Sequence, residues 1–131
     1  MPEDAEPDYL DLDDLVAAAE AATGRPAEVR DYGLLESAAQ RPATTVFGAD
    51  AYPTIHEKAA ALLHSIVRNH PLVDGNKRLG WVAVRLFYVM NGHELRAEDD
   101  DAYDFVIGVA AGEISEIAEI GAWLARHAEE T

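Results

Sequence analysis

The stretch His70-Pro71-Leu72-Val73-Asp74-Gly75-Asn76-Lys77-Arg78 lies between two helical patterns and decides how they meet. Upstream, Thr54-Ile55-His56-Glu57 is a capping-box pattern that opens a helix running to about Asn69. Its apolar residues Ile55, Ala59, Leu62, Leu63, Ile66 and Val67 recur at helical spacing. Downstream, a second helix is expected from about Asn76 to Asn91, closed by Gly92. Leu79, Val82, Ala83, Leu86 and Met90 fill one of its faces, while Trp81, Val84 and Tyr88 make much of the opposite face apolar. A helix apolar on most sides belongs at the centre of a fold. Between the two helices, Gly75 supplies the backbone freedom that a tight turn needs.

Working outward, Leu12 to Ala22 reads as a helix with Asp11 as its N-cap and Gly24 as its stop. Arg25 to Asp31 is a connector, and Gly33 to Gln40 a short second helix. Arg41 to Tyr52 has no clear period and is long for a plain connection, which marks a functional or mobile loop. Within it, Val46-Phe47 suits a strand-like edge. His93 to Arg96 reads as a short extended piece, and helices at about Asp100–Ala111 and Ser115–Ala128 complete the chain. The expectation is an all-α bundle around a central buried helix. It forms one domain over residues 9–131, preceded by an acidic, frayed segment over residues 1–8.

Composition narrows the function. A chain of 131 residues with 49% apolar content can bury a core. Its 25 acidic against 10 basic residues leave a formal charge of −15, so DNA and RNA are repelled at long range and are not expected as direct partners. The most apolar stretch, Leu79 to Met90, is short and interrupted by Arg85, so no membrane span is expected. The N-terminus carries no basic or apolar leader pattern, and a cytoplasmic location is expected. With no cysteine, disulfides, thiolate metal sites and cysteine nucleophiles are excluded.

Against that acidic background, Arg68, Lys77, Arg78 and Arg85 cluster in the centre of the chain. A helix beginning at Asn76 presents the free backbone N–H groups of its first turn, which favour an anion. Lys77 supplies a point charge suited to phosphate, and Arg78 can grip two oxygens. Asp74 is a single carboxylate beside this cradle, and one carboxylate plus substrate phosphates is a normal way to hold Mg²⁺. His70, at the start of the turn, suits a proton acceptor for an incoming hydroxyl. Base, metal ligand and phosphate clamp are the parts of a phosphoryl- or nucleotidyl-transfer site. Each residue also has a plain alternative: Asp74 or Asn76 as an N-cap, Gly75 as a turn residue, His70 as a loop histidine. Two cations at a helix N-terminus oppose the dipole unless an anion accompanies them, and this tips the balance toward a site.

Other signals are weaker. His56-Glu57 is followed by Ala60 where a zinc-protease helix needs a second histidine, and no P-loop or dinucleotide fingerprint is present. His56 and His64 read as ordinary helix residues, Asp99-Asp100-Asp101 as acid at a helix start, and Trp81 and Trp123 as core or interface aromatics.

His70 to Arg78 resembles the signature of the Fic/Doc family, and Lys77 resembles its death-on-curing (Doc) branch. Asp31-Tyr-Gly-Leu-Leu-Glu-Ser-Ala, Pro53 to Asn69, Met90-Asn-Gly and Ala110-Ala-Gly-Glu extend the likeness over most of the chain. The resemblance implies a compact helical toxin of a type II toxin–antitoxin module. Such a toxin moves phosphate from ATP to a protein hydroxyl, in Doc a threonine of elongation factor Tu, until a Phd-like antitoxin blocks it. It implies His70 as general base, Asp74 as Mg²⁺ ligand, Asn76, Lys77 and Arg78 as phosphate binders and Gly75 as the shaper of the anion hole. Arg68, just before the histidine, joins the phosphate binders, and Arg41–Tyr52 corresponds to a flap near the target-docking surface.

Departures from the pattern separate the possible activities. Adenylyl-transferring members usually have Gly where Lys77 stands and a second Arg where this chain has Trp81. Both changes favour the kinase reading over an adenylyltransferase. Leu72 replaces the common Phe, a conservative packing change. A catalytically silent module that only binds an anion or partner is the remaining alternative.

Overall fold

The computed structural model describes residues 6–131. Thr54 is extended, and its hydroxyl accepts the Glu57 N–H at 3.0 Å, which starts helix α3 (Ile55–Asn69). The capping pattern is present in altered form, because the Glu57 carboxylate takes the Thr54 hydroxyl instead of reaching back to its N–H. Before α3 come α1 (Leu12–Thr23) and α2 (Tyr32–Gln40). Asp11 and Asp14 form a reciprocal capping box on α1, and Gly24 ends it in the left-handed conformation. Asp31 caps α2 by accepting the Leu34 N–H. After α3 come α4 (Asn76–Met90), α5 (Asp99–Ala110) and α6 (Ile117–His127). The acidic start of α5 is Asp99, Asp100 and Asp101, all solvent-exposed, where the helix dipole favours them.

The fold is helical, as expected, but the most enclosed helix is α3. Lys58 to Leu63 and Ser65 to Val67 are all buried, and α3 packs against α4, α6, α2 and α5. On α4, by contrast, Arg85, Leu86 and Val89 face solvent. Its buried face is Leu79, Gly80, Ala83, Val84, Phe87 and Tyr88. Apolar residues all round α4 therefore misrepresent its position. The alanines of α3 let neighbouring helices approach from several sides, which hydrophobic weight alone does not report.

A small hairpin and a second two-stranded sheet, whose strands lie far apart in sequence, complete the chain. Strands β1 (Thr45–Val46) and β2 (Ala49–Asp50) pair antiparallel around a turn in which both Phe47 and Gly48 have positive φ. Phe47, expected in the strand, is the fully exposed turn residue instead. The hairpin is tied down. Lys58 Nζ, buried on α3, donates to Tyr52 O at 2.6 Å and to Asp50 Oδ2 at 3.2 Å. Arg41 donates to the Tyr52 hydroxyl, to Ser65 Oγ and to His64 Nδ1. Strand β3 (His93–Leu95) pairs antiparallel with β4 (Ala128–Glu130), which takes up the end of the chain where a helix to Ala128 was expected.

The expected frayed N-terminus lies outside the described residues over 1–5. At Asp8 the backbone N–H donates to Asn91 Oδ1 and the carbonyl accepts from Asn91 Nδ2. Among the described residues no helix is long and apolar enough to cross a membrane.

Candidate active site

Helix α3 ends at His70, which takes the left-handed conformation at φ 52° and ψ 61°. A non-glycine residue is uncommon there. Two bonds hold it: Arg30 Nε donates to His70 O at 2.7 Å, and Arg30 Nη2 donates to Asn69 O at 2.8 Å. The imidazole is left exposed at the head of the loop.

The loop then turns inward. Pro71 and Leu72 are buried; Leu72 thus fills the packing position that its place in the sequence requires. Asn76 closes the loop with its side chain. Oδ1 accepts the Leu72 N–H at 2.9 Å and Nδ2 donates to Leu72 O at 3.0 Å. The Asn76 side-chain oxygen and one of its amide hydrogens are therefore engaged within the protein, and its backbone N–H is one of the unpaired donors of the first turn. The residue expected among the phosphate binders thus also clamps the loop.

Gly75 caps α4 at φ 87°, a conformation that costs glycine nothing. A Cβ there would lie 2.9 Å from Thr23 Cγ2, so the end of α1 also excludes a larger residue. No side chain caps α4. Its first-turn N–H groups have no intrahelical acceptors, and the positive end of the helix dipole is uncovered. Lys77 and Arg78 stand exposed on that same turn.

Asp74 is beside it. Its Oδ2 accepts from Arg25 Nη2 at 2.8 Å, and its Oδ1 accepts the Gly75 N–H at 2.9 Å. The bonded Arg25 guanidinium, and then the Gly75 N–H, hold Asp74 below the usual carboxylate range, so it is ionised at neutral pH. No cluster of three or more His, Cys, Asp or Glu able to hold a metal occurs among the described residues. A lone ionised carboxylate of this kind fits a divalent ion that brings phosphate ligands with it, not a protein-built metal cage.

A cavity of about 580 Å³ opens from this point. Asp74 to Arg78 form one polar end, Trp81, Val106 and Tyr103 supply apolar and aromatic wall from α4 and α5, and Asp99 at the start of α5 adds a second carboxylate. A charged end with an apolar wall suits a phosphate-bearing ligand with a flat apolar portion. His70 and Arg68 do not line it. Arg68 Nη1 donates to Ala110 O at 2.8 Å, and its guanidinium packs against Gly112, so it caps the end of α5. The structure thus brings Asp74, Gly75, Asn76, Lys77 and Arg78 together and places Arg68 elsewhere.

Comparison with protein families matches residues 8–88 to the family described as Fic/DOC. The chain belongs to the Fic/DOC family. It is also 53% identical over 93 residues to Toxin Doc of Mycolicibacterium smegmatis, a likeness covering 71% of this chain and 72% of that protein. The Fic/DOC signature is the loop just described, seated between α3 and α4. Arg25 and Arg30, in the segment expected to be a connector, supply contacts to this loop from 49 and 40 residues away. Their only local signal was two arginines in an acidic chain.

Proposed function

We propose that this protein is the toxin of a type II toxin–antitoxin module. In this reading it transfers the terminal phosphate of ATP to a hydroxyl of a protein target, by resemblance a threonine of elongation factor Tu. The observation that carries the reading is the first turn of α4, uncapped and bearing exposed Lys77 and Arg78 beside an ionised Asp74. Such a turn is suited to a highly charged polyphosphate. Likeness to a protein named Toxin Doc supports the toxin assignment.

In the reaction, the His70 ring accepts the proton of the target hydroxyl as its oxygen attacks the terminal phosphorus. The bond from that phosphorus to the bridging oxygen breaks, and ADP departs. Lys77, Arg78 and the backbone N–H groups of the first α4 turn hold the charge that develops on the phosphoryl oxygens. Asp74, beside the first turn of α4, would hold Mg²⁺, which when bound would neutralise phosphate charge; Asp99 is a second carboxylate lining the same cavity. The exposed Val46 and Phe47 of the β1–β2 hairpin provide a surface for the protein target. A Phd-like antitoxin is the partner this reading requires.

The test uses ATP labelled at the α or the γ phosphate with purified elongation factor Tu and Mg²⁺. γ label on the acceptor, lost in His70→Ala, is the expected result. α label on the acceptor would replace the kinase by an adenylyltransferase, and undiminished transfer by His70→Ala would sink the proposed base.

A further inference from the structure

The connector between α1 and α2 runs antiparallel to the signature loop. Val73 N–H donates to Glu28 O, Val29 and Leu72 form a bridge, and the N–H groups of Arg30 and Asp31 both donate to Pro71 O. The Arg30 side chain then adds its two bonds to Asn69 O and His70 O. Four donors from Arg30 and Asp31 thus converge on the carbonyls of residues 69, 70 and 71.

We propose that Arg30 is a positioning residue for the transfer reaction, fixing the left-handed backbone of His70 and so the direction of its ring. The inference rests on His70 being the base in the function proposed above. Three features favour a positioning role over simple helix capping. Besides the carbonyl of Asn69, the last residue of α3, it takes the carbonyl of His70 itself, so its grip reaches past the helix end onto the left-handed residue. Among the described residues, residue 70 is one of two non-glycine residues with positive φ, the other being the Phe47 turn of the β1–β2 hairpin. A planar guanidinium can bridge two neighbouring carbonyls at once, whereas an ammonium or an amide cannot reproduce that fork. Arg30 is solvent-exposed and its side chain is not part of the core cluster, so removing that side chain leaves the packing of α3 and α4 in place. If the fork is lost, His70 is free to leave the left-handed region toward the extended backbone that a residue before proline prefers.

The experiment compares wild type, Arg30→Ala, Arg30→Lys and the remote surface variant Arg126→Ala. Each is measured for kcat and KM in γ-phosphate transfer, for amide exchange over residues 69–74 and over the α3 core, and for thermal midpoint. The expected result is a fall in kcat of about tenfold or more for Arg30→Ala, with KM for ATP nearly unchanged and partial recovery in Arg30→Lys. Exchange over 69–74 should rise while the α3 core and the midpoint follow Arg126→Ala. Wild-type kcat in Arg30→Ala overturns the inference and leaves the kinase reading intact. An equal loss of core protection and midpoint also overturns it, because Arg30 would then be merely structural. If the wild type transfers no label, the kinase reading fails. The exchange data still decide the inference: unchanged protection over 69–74 overturns it, and selective loss supports Arg30 as the clamp of this loop.

Discussion

The side chain of Asn76 satisfies both backbone polar groups of Leu72, accepting its N–H at 2.9 Å and donating to its carbonyl at 3.0 Å. Both residues are buried, so neither backbone group has water as a substitute partner. The loop from His70 to Asn76 is thereby closed by one amide.

Asn76→Asp tests that closure. The substitution keeps size and the acceptor but replaces the donor with an oxygen facing Leu72 O. Leaving that buried carbonyl unpaired and placing a carboxylate against it should cost about 2–3 kcal/mol. The urea midpoint reads this directly. A stability within about 0.5 kcal/mol of wild type would mean the loop does not depend on the clamp.

The crossing of α3 and α4 gives a second prediction. A Cβ on Gly80 would lie 2.8 Å from Val67 Cγ1 and 2.9 Å from Leu63 Cδ1, both in the core. Gly80→Ala gains about 1 kcal/mol of helix propensity. Overpacking costs about 1–3 kcal/mol and should win, lowering stability by about 1–2 kcal/mol. Because the two helices carry the two ends of the signature loop, transfer activity should fall with it. An unchanged or raised denaturation midpoint would show that the helices can separate at no cost.

These two cases mark what was legible in the sequence. Caps and stops are local chemistry, so Asp11, Gly24, Thr54 and Gly92 placed the helices close to where they lie. The grouping of Asp74 to Arg78 was equally legible, since they are consecutive and one turn assembles them. What escaped was set by distance along the chain. Arg25 and Arg30 reach the loop across the α1–α2 connector, and Arg68 turns away to Ala110. The enclosed position of α3 escaped for a different reason. Ala59, Ala60 and Ala61 carry little hydrophobic weight, yet they allow the close approach that buries the helix. A buried Lys58 was likewise invisible until Asp50 and the Tyr52 carbonyl were seen around it.

Stability should also fall in mild acid. His56 Nδ1 lies 2.8 Å from the hydroxyl of the buried Tyr88, with the His93 ring edge-on to it. Burial, and then the charge of His93, push His56 below its ordinary value of 6.5. Burial and Arg41 lower His64 in the same direction. A lowered histidine is more readily protonated in the unfolded chain, so its contribution is full above about pH 6.5 and is lost as pH falls toward its folded value. The thermal midpoint should drop between about pH 7 and pH 5, and His56→Gln should shrink that drop while His64 preserves the rest. A slope unaltered by His56→Gln would remove the His56–Tyr88–His93 cluster as a source of acid sensitivity.

The last prediction concerns the carboxylate that this reading gives to Mg²⁺. Asp74 already has a cation, since Arg25 lies 2.8 Å from Oδ2 with both side chains largely exposed. A divalent ion entering with nucleotide and taking Asp74 Oδ2 would compete with Arg25 for it, and two positive groups repel at that distance. Arg25→Gln should therefore lower the Mg²⁺ concentration needed for half-maximal transfer, by about two- to fivefold given the modest strength of exposed pairs. Salt should narrow the difference, because it screens the pair. Asp74 is held below the usual carboxylate range, so its charge, and with it the Mg²⁺ requirement of the wild type, should stay level from about pH 8 to pH 6. A Mg²⁺ titration of both proteins decides the matter. A higher requirement in Arg25→Gln would show that Arg25 orients Asp74 for the ion instead of competing with it, and an unchanged one would place the metal away from Oδ2.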